Sequence, residues 1–417
     1  MEKGADIAAT VKVEIPTELL TPLGAYVRLR EGDGGSFLLE SVERGRLGRY
    51  SFVGSGRELI AFEEAEGCAR PVVGYLGYDY VERLEPTVPL PDAGPGPPES
   101  RFVTADVLLR FDHARGVAEL LEGDPEKVPA LLEQPLPPAK TEARAPSESV
   151  RLTSREEYEQ AVRRVQEHIV AGDVFQVVVS QRVERTTEAT ALDLYRALRR
   201  VNPSPYLFLL ELDGVDLIGS SPETLVKCEG ERASLNPIAG TTELGPGDAE
   251  RLLASEKDRA EHVMLVDLGR NDLSRVCRPG SVRVKHFLEV ERFSHVTHLV
   301  SEVEGRLQEG QAAFELLRAC FPAGTVSGAP KVRAMQLISE LEGYRRGPYA
   351  GAVGYALPDG TLDTCIAIRT IVLADGVARL QAGAGIVADS DPASEHEECL
   401  AKLAALEEAV DLAEAGL

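Results

Sequence analysis

The chain has 417 residues, of which 43% are hydrophobic, so it is long and apolar enough to fold around a large core. Its formal net charge of −23 disfavours nucleic acid as a partner, because phosphate backbones are bound by clustered Lys and Arg. The polar N-terminus does not resemble a signal peptide, no apolar run approaches a membrane span, and no cysteines form a C-x-x-C pair, so we expect a cytoplasmic protein with reduced thiols.

The first third of the chain is punctuated by two proline-rich stretches, residues 86–98 and 125–146. Between them, the segment "ADVLLRFDHARGVAELL" alternates apolar and polar residues on both sides of a turn from His113 to Gly116, which predicts a β-hairpin. We therefore expect residues 1–150 to be β-rich with proline-rich loops.

The pattern changes after residue 150. The segment "SREEYEQAVRRVQEHIVAGD" has Ser154 and Glu157 in capping-box spacing, which predicts a helix that ends near Gly172. The strand pattern "VFQVVVSQRVER" follows, and further strand patterns, "GAVGYAL", "TCIAIRTIVL" and "VARLQAGAGIVA", cluster near the C-terminus. Hairpins outnumber clear βαβ units, so residues 151–417 are expected to form an α+β domain.

A glycine-containing segment near the C-terminus precedes an acidic helix. Residues Gly383, Ala384 and Gly385 suggest a backbone loop that offers N–H groups to an anion. Asp391 and Pro392 then predict a helix start, with Glu395 and Glu398 on one face and Lys402 one turn further on. Composition alone favours a solvated acidic first turn, which stabilises the helix dipole.

A second acidic helix is predicted from "SEKDRAEHVMLVDLGRNDLSRV", with Ser255 as N-cap and with Asp258 and Glu261 three residues apart. Two helices that each present carboxylates suit Mg²⁺, which takes one or two protein carboxylates together with substrate oxygens. A metal between the carboxylates and an anionic substrate would explain why acidic residues surround an anion-binding segment. The solvated-helix interpretation stays open beside this one.

Three further polar residues stand in apolar surroundings. His295 and His298 precede an apolar alternation, although a histidine is more often structural than catalytic. Arg369 interrupts an apolar strand, which indicates either a buried ion pair or an anionic ligand, because an unpaired buried charge is costly. The loop "FPAGTVSGAPKVRAM" lacks Walker A spacing, and the chain has no G-x-S-x-G elbow.

Several blocks of the chain, in order from about residue 151 to 405, closely resemble the signature blocks of the chorismate-utilising enzymes. These blocks read "PIAGT", "AEHVMLVDLGRNDL", "VTHLVSEVEG", "FPAGTVSGAPKVRAM", "YAGAVGY", "DTCIAIRT" and "QAGAGIVADSDPASEHEE". Three more segments, "LLES" (38–41), "GRYSFVG" (48–54) and "NPSPY" (202–206), are similar to the anthranilate synthase component I branch of that family. The resemblance implies a two-layer antiparallel β-sandwich flanked by helices, with a tryptophan-binding regulatory region at 1–150 and a chorismate-binding catalytic domain at 151–417.

The resemblance also implies an activity. In that branch, chorismate and ammonia give anthranilate and pyruvate for tryptophan biosynthesis, with feedback inhibition by tryptophan. None of the six cysteines lies in the G-x-C-x-G context of a glutaminase, so ammonia would come from a separate glutamine amidotransferase subunit, component II. Gln176 stands where isochorismate and salicylate synthases hold a water-activating lysine, and Ala239 stands where aminodeoxychorismate synthase holds a nucleophilic lysine.

Two alternatives remain beside that expectation. Aminodeoxychorismate synthase component I is the alternative within the family. A non-catalytic subunit that responds to tryptophan is an alternative of another class, and the joint presence of the expected catalytic groups argues against it.

The residue roles implied by the resemblance fall into four groups. Glu261 and Glu398 would hold Mg²⁺. Glu223 would be the general acid at the C4 hydroxyl, His298 would act in the loss of pyruvate, and Gln176 completes the catalytic set. The substrate would be held by Gly240, Thr241, Tyr349, Arg369, Gly383, Ala384, Gly385 and Lys402. Tryptophan would be held by Leu38, Glu40, Ser41, Asn202, Pro205, Tyr206 and Leu207, the last of which stands where methionine is common.

Overall fold

A computed structural model of the chain describes residues 13–30, 32–41, 49–92, 96–137, 143–292 and 296–416. His295 and part of the "GRYSFVG" segment lie outside the described residues. The helices are α1 Pro22–Leu29, α2 Phe62–Ala65, α3 Val81–Leu84, α4 Lys127–Leu132, α5 Arg155–Val170, α6 Ala191–Val201, α7 Asp248–Ala254, α8 Glu256–Ser274, α9 Ala313–Cys320, α10 Lys331–Glu342 and α11 Pro392–Glu414, with 3₁₀ turns at Tyr78–Tyr80 and Gly324–Val326.

The strands follow the same chain order. They are β1 Val13–Pro16, β2 Gly35–Glu40, β3 Tyr50–Gly56, β4 Leu59–Ile60, β5 Val72–Leu76, β6 Ser100–Thr104, β7 Val107–Asp112, β8 Val117–Glu122, β9 Val150–Arg151, β10 Gln176–Thr186, β11 Tyr206–Leu212, β12 Asp216–Ser221, β13 Thr224–Glu229, β14 Arg232–Leu235, β15 Ile238–Glu243, β16 Arg283–Arg292, β17 Val296–Arg306, β18 Gly328–Ala329, β19 Ala352–Ala356, β20 Leu362–Ile366, β21 Thr370–Ala374 and β22 Val377–Ile386.

The helix starts that the sequence predicted are confirmed by their caps. At α5, the Ser154 hydroxyl accepts from the Glu157 N–H at 3.2 Å, and the Glu157 carboxylate accepts from the Ser154 N–H at 2.8 Å. Ser255 caps α8 and Asp391 caps α11, each accepting a backbone N–H three residues further on. These local hydrogen bonds fix where the acidic first turns of α8 and α11 lie.

Within the described part of the chain, the strands form two antiparallel sheets. The larger sheet has twelve strands in the order β1-β8-β7-β3-β2-β11-β12-β21-β22-β10-β18, with β9 also paired to β10. The smaller sheet has ten strands in the order β15-β17-β14-β13-β20-β19-β5-β6-β4, with β16 also paired to β17. The predicted hairpin of β7 and β8 is confirmed.

The two sheets face each other across a buried apolar layer that includes Phe37 and Phe208 from the larger sheet and Tyr75 and Val353 from the smaller. A second apolar cluster joins the larger sheet to α1, α4, α6 and α11. A third joins the smaller sheet, together with β10 and β22 of the larger, to α2, α5, α8, α9 and α10. This is the α+β, two-layer antiparallel sandwich flanked by helices that was predicted.

Strands from both sides of residue 150 belong to both sheets. In the larger sheet β2 pairs with β11, with Leu38 opposite Leu209. In the smaller sheet β5 pairs with β19, with Gly74 opposite Gly354. The division into a regulatory region at 1–150 and a catalytic domain at 151–417 therefore does not correspond to separate sheets, and it stays a prediction about function.

The glycines at 383 and 385 lie inside a strand and not in the exposed loop that the sequence suggested. They belong to β22, whose ladder with β10 continues to Ile386. Their lack of a side chain permits close approach to neighbours: a Cβ at Gly383 would lie 2.8 Å from the Val179 carbonyl oxygen.

No helix in the described ranges has the length and apolarity needed to cross a lipid bilayer.

A buried ion pair joins α10 to β10 of the larger sheet. The Arg346 and Glu342 side chains are each 1% exposed and lie 2.6 Å apart. Arg346 also donates to the Val178 and Val326 carbonyls, while Glu342 accepts from the N–H and hydroxyl of Ser180. One pair of charges thus fixes β10, α10 and the 3₁₀ turn at 324–326 to one another.

Arg346→Met should destabilise the protein by about 3–5 kcal/mol, because it leaves the Glu342 carboxylate buried without its counter-charge. Chemical denaturation followed by circular dichroism gives the free energy of unfolding. The matched control is Arg163→Met, whose guanidinium is 57% exposed and pairs with Glu159 one helical turn away. That control should cost about 0.5 kcal/mol or less. Equal losses for the two variants would contradict a central role for the buried pair.

Candidate functional site

The site begins where β10, β22 and α8 meet. The Gln176 side-chain amide donates to the Glu261 carboxylate at 2.8 Å. A Cβ at Gly385 would lie 2.6 Å from the Gln176 amide nitrogen and 3.6 Å from the Glu261 carboxylate. Glycine at this position therefore lets the carboxylate of α8 and the amide of β10 reach the surface of β22.

Beyond Leu380, β22 has an open edge in the described part of the chain, since β21 pairs with it only from Val377 to Leu380. Opposite Gly383 and Gly385, the Ser180 and Val178 N–H groups donate away from β22, to Glu342 and to Ser327. Those two pairs are therefore not hydrogen-bonded to each other. The N–H groups of Gly383 and Gly385 consequently face the open edge.

Ala384 is oriented differently from the two glycines. It lies opposite Val179, between the two non-hydrogen-bonded pairs, so its backbone groups face β10. Its side chain is buried in the core. Of the three predicted backbone donors, the geometry favours Gly383 and Gly385.

Lys402 of α11 lies at the open edge of β22. Its ammonium donates to the Gly383 carbonyl at 3.0 Å and pairs with Glu398 at 2.7 Å. The negative charge of Glu398 in turn affects the pKa of Glu261. Burial raises the pKa of Glu261, the Gln176 hydrogen bond opposes this, and the negative charges of Asp258 and Glu398 raise it further.

The two predicted metal-holding carboxylates, Glu261 and Glu398, are thus brought together from different helices. No group of three or more His, Cys, Asp or Glu side chains arranged to hold a metal occurs among the described residues. Two carboxylates are still within what Mg²⁺ takes from a protein, since the rest of its shell is water and substrate oxygen. Their mutual repulsion is the feature that a divalent cation would relieve.

On the other side of the site, Glu223 lies in the turn between β12 and β13. Burial raises its pKa to about 8, opposed by the Thr325 hydroxyl and by the positive charges of Lys402 and Arg369. Glu223 and Thr325 both line a small cavity of about 40 Å³, whose other walls include Leu235, Leu265 and Ile366. Near neutral pH this carboxyl is mostly protonated.

His298 of β17 is close enough to Arg369 for their charges to interact. Its ring nitrogen Nδ1 is 3.1 Å from the Gly240 carbonyl oxygen. Because a carbonyl only accepts, Nδ1 carries the proton and Nε2 is the basic nitrogen. Burial lowers the pKa of His298, the Gly240 carbonyl opposes this, and the charge of Arg369 lowers it further, so the ring is neutral near pH 7.

Gly240 and Thr241 lie at an irregularity of β15. Gly240 has φ +70°, and the register of β15 on β17 shifts between Ala239 and Thr241. This positive φ favours glycine. The shift directs the Gly240 carbonyl to His298 and interrupts the regular ladder beside the site.

Two left-handed turns hold Tyr349 and Arg369. Ala350, which follows Tyr349, has φ +64°, and Arg369 has φ +50°. The turns are tied together, because the Ala350 N–H donates to the Ala367 carbonyl at 2.9 Å and the Ala367 N–H donates to Gly351 at 2.8 Å. Such conformations cost free energy for residues with a side chain and cluster at functional sites.

Tyr349 also reaches the open edge of β22. Its hydroxyl would lie 3.2 Å from a Cβ at Gly383. Burial raises the pKa of Tyr349, so its hydroxyl remains a neutral hydrogen-bond donor. Burial lowers the pKa of Arg369, and the negative charge of Glu223 opposes this effect. The guanidinium stays charged. Of the predicted substrate residues, Tyr349 and Lys402 therefore meet Gly383 at the open edge of β22.

The segments predicted to hold tryptophan are also neighbours. Leu207 of β11 lies opposite Glu40 of β2, so the "LLES" and "NPSPY" segments meet in the larger sheet. Glu40 is buried, accepts from the Tyr195 hydroxyl and pairs with Arg199. Leu38 packs in the apolar cluster of the larger sheet, and Pro205 stands just before β11.

Two residues of this region were not singled out from the sequence. Thr325 lies in the glycine-rich loop, where its neighbours gave no sign that it would face Glu223. The Ser220 hydroxyl donates to the Asn202 carbonyl, and its N–H donates to the Arg369 carbonyl at 3.1 Å. The pairing of β12 with β11 brings Ser220 to Asn202, and its pairing with β21 brings Ser220 to Arg369, so no local motif could have identified Ser220.

Comparisons with known proteins give the family. Residues 39–408 match the model of the family described as chorismate binding enzyme. The chain is 44% identical to anthranilate synthase component 1 from Streptomyces coelicolor, with 96% of this chain and 89% of that one covered. It is also 44% identical to anthranilate synthase component 1 from Thermus thermophilus, with 96% and 97% covered.

Solved structures agree. Anthranilate synthase component I from Streptococcus pneumoniae superposes with a TM-score of 0.76 at 33% identity, covering 94% of this chain and 99% of that one. The menaquinone-specific isochorismate synthase from Escherichia coli, at 21% identity and a TM-score of 0.76 over 96% of this chain and 94% of that one, shares the fold. The chain belongs to the chorismate-binding enzymes and, within them, to the anthranilate synthase component 1 family.

Proposed function

We propose that this chain is the large subunit of an anthranilate synthase, working in the cytoplasm in tryptophan biosynthesis. Chorismate and ammonia would give anthranilate, pyruvate and water. The observation that carries the proposal is the arrangement around β22, where two backbone N–H groups and an arginine suit an anion while two carboxylates suit a cation. A protonated carboxyl and a neutral histidine stand beside them.

Binding of the substrate would use donors that have few other roles. The N–H groups of Gly383 and Gly385 and the Tyr349 hydroxyl would hold a carboxylate at the open edge of β22. Arg369, which is half-buried and close enough to Glu223 for their charges to interact, suits a second carboxylate, since a guanidinium binds such a group with two parallel hydrogen bonds. Chorismate carries two carboxylates, so it matches both donor groups.

Glu261 and Glu398 fit a bound Mg²⁺, because they come from different helices, their charges act on each other, and Mg²⁺ takes only one or two protein carboxylates beside water and substrate oxygens. When bound, the metal would withdraw electrons through the ring carboxylate and assist addition at the ring. Lys402 would hold Glu398 in position through their ion pair.

Glu223 would protonate the departing C4 hydroxyl. Hydroxide is a poor leaving group, so an acid must supply a proton as the bond breaks. An ordinary glutamate is ionised at neutral pH, whereas burial keeps this one protonated up to about pH 8. The Thr325 hydroxyl would orient the carboxyl.

Gln176 would position the nitrogen nucleophile. Its amide nitrogen donates to Glu261, so its amide oxygen points away from that carboxylate. In the described part of the chain, this buried oxygen has no hydrogen-bond partner. It can therefore accept from an N–H of ammonia beside the site, and an amide cannot activate water as a base.

His298 would then act in the loss of pyruvate. Forming the aromatic ring requires a base to remove the hydrogen from the ring carbon that received nitrogen. The Gly240 carbonyl holds the histidine with Nε2 as the basic nitrogen, and the lowered pKa keeps that nitrogen unprotonated. The alternative, aminodeoxychorismate synthase, is disfavoured because Ala239 has no amine to act as nucleophile.

Tryptophan is proposed to bind where "LLES" meets "NPSPY", through Leu38, Glu40, Ser41, Asn202, Pro205, Tyr206 and Leu207. Two hydrogen-bonded links lead from this region to the site. Ser220 bridges the Asn202 and Arg369 carbonyls. The Tyr206 hydroxyl lies 2.7 Å from the hydroxyl of Thr224, the residue after Glu223. Occupancy of one site would therefore weaken binding at the other.

The first test of the function is product identification. Purified chain with chorismate, Mg²⁺ and an ammonium salt should yield anthranilate, detected by fluorescence and mass. Glu261→Gln and Glu398→Gln should each lower turnover about 100-fold or more, the upper end of what disturbed metal shells cost. Glu397→Gln is the control, since that exposed carboxylate pairs with Arg155. Full turnover in excess chelator, or a product that keeps the enolpyruvyl group, would contradict the proposal.

A second test follows from the pKa of Glu223. The active form is the protonated one, so kcat should fall about tenfold per pH unit above about pH 8. Free ammonia must be held constant, because it rises with pH. Glu223→Gln should lower kcat about 100-fold and abolish the alkaline decline. Glu229→Gln, at the exposed end of β13, should keep the wild-type profile, and a decline that persists in Glu223→Gln would assign it to another group.

A third test concerns inhibition. Tryptophan should raise the KM for chorismate, and Ser41→Phe should weaken inhibition about tenfold, within the range of typical coupling. Ser149→Phe, at an exposed position outside both segments, should leave it unchanged. The measurement is a tryptophan titration at several chorismate concentrations. Equal sensitivity of wild type and Ser41→Phe would rule out this pocket.

A further inference from the structure

The segment "GYDY", residues 77–80, follows β5 in the first third of the chain and lies against the turn that carries Tyr349. The Tyr78 N–H donates to the Gly347 carbonyl at 2.8 Å, and the Asp79 carboxylate accepts from the Gly347 N–H at 3.0 Å. Two consecutive residues of a distant part of the chain therefore hold both backbone polar groups of Gly347. We call Tyr78 and Asp79 the 78–79 clamp.

Gly347 is the position at which this turn can most easily change shape. It has φ +62°, and glycine adopts other backbone conformations at little cost. Among the described residues beyond its chain neighbours, a Cβ at this position would have only Pro97 within 4 Å, at 3.6 Å. Steric contacts thus leave Gly347 considerable freedom, and the clamp supplies the hydrogen bonds that fix its conformation.

Tyr349 follows Gly347 by two residues, and both ends of its turn are held from outside. The far end is held by Ala350, whose N–H donates to the Ala367 carbonyl at 2.9 Å. The near end is held by the clamp at Gly347. Because the Tyr349 hydroxyl lies beside Gly383, the conformation of Gly347 decides whether that hydroxyl reaches the open edge of β22.

The Arg346 guanidinium ties the clamp to the same tyrosine. It lies 4.7 Å from the centre of the Tyr78 ring and 5.6 Å from the centre of the Tyr349 ring. Contacts of this length between a cation and an aromatic ring are attractive. One buried charge therefore holds a ring of the clamp and the ring of Tyr349 in a fixed relation.

Asp79 lowers the stability of the fold that contains it. The residue is buried, and in the described part of the chain its Oδ1 has no hydrogen-bond partner. A buried carboxylate with one unpartnered oxygen is costly. Departures of this kind from stable packing are expected at sites where function requires them.

We propose that Asp79 is a positioning residue for the substrate, which acts through Gly347 to hold the Tyr349 hydroxyl at the open edge of β22. This inference rests on the proposed function, in which that hydroxyl binds a carboxylate of chorismate. Asp79 itself does not contact the substrate. The region 1–150 thereby contributes to substrate binding as well as to regulation.

The test is a double-mutant cycle in which the Kd of chorismate is measured by titration calorimetry with Mg²⁺ and without ammonia. Asp79→Ala and Tyr349→Phe should each raise the Kd about tenfold, as for loss of one hydrogen bond to a charged group. The double variant should bind within about twofold of Tyr349→Phe, because no hydroxyl is left to position.

Asp79→Asn gives a milder second variant. Its amide oxygen is a weaker acceptor than a carboxylate, so the Kd should rise about threefold, and only when the Tyr349 hydroxyl is present. This variant decides the question if Asp79→Ala does not fold.

The matched control is Asp112→Ala. Asp112 is a buried carboxylate of the same third of the chain and accepts the N–H groups of Ala114 and Arg115 in the turn between β7 and β8. Its loss should destabilise the protein in chemical denaturation but leave the Kd of chorismate within about twofold of wild type.

Two results would overturn the positioning role. One is a rise in Kd for the Asp79 variants that is the same with and without the Tyr349 hydroxyl, and the other is an unchanged Kd in Asp79→Ala. Failure of the wild-type chain to bind chorismate would overturn both this role and the proposed function. Binding of chorismate without formation of anthranilate once ammonia is added would overturn the proposed function alone.

Discussion

The site depends on the buried pair of Arg346 and Glu342. This one contact positions β10 and the turn that carries Thr325, because Arg346 donates to the carbonyls of Val178 and Val326. Glu342 accepts the Ser180 N–H, which points away from β22. Because the pair of Ser180 and Gly383 is not hydrogen-bonded, the Gly383 N–H faces the open edge.

This arrangement would explain how acidic residues and an anion can share one site. The groups proposed to bind the anion are backbone N–H groups of a strand edge and one arginine, and none of them belongs to the acidic helices. The carboxylates proposed to hold the metal, Glu261 and Glu398, come from the second turns of α8 and α11. Their mutual repulsion would favour a cation between them and the substrate.

Local features of the fold were predictable from the sequence, and features that depend on tertiary packing were not. The caps at Ser154, Ser255 and Asp391 are confirmed because a capping hydrogen bond spans only three residues. The glycines at 383 and 385 look like a loop in the sequence, but pairing with β10 makes them a strand. Glycine here permits close approach of Gln176 and Val179, which no local pattern could reveal.

The central ion pair illustrates the same limit. Glu342 and Arg346 are four residues apart in a charged stretch, a spacing typical of an exposed helix pair. Their burial follows from packing of α10 on β10, which is decided elsewhere in the chain. The two acidic helices that carry the candidate carboxylates were predictable from their start signals. That the two carboxylates share one site was implied only by the family resemblance.

The strained turn at Arg369 connects the two regions that regulation would have to link. A non-glycine residue with φ +50° persists only where surrounding contacts hold it, and here Ser220 donates to the Arg369 carbonyl while also bonding Asn202. A shift of the "NPSPY" segment would therefore act first on this turn. Losing the Ser220 contact would remove one of the hydrogen bonds that hold the positive φ of Arg369. The position proposed for Arg369 beside the substrate therefore depends on the strand that carries Ser220.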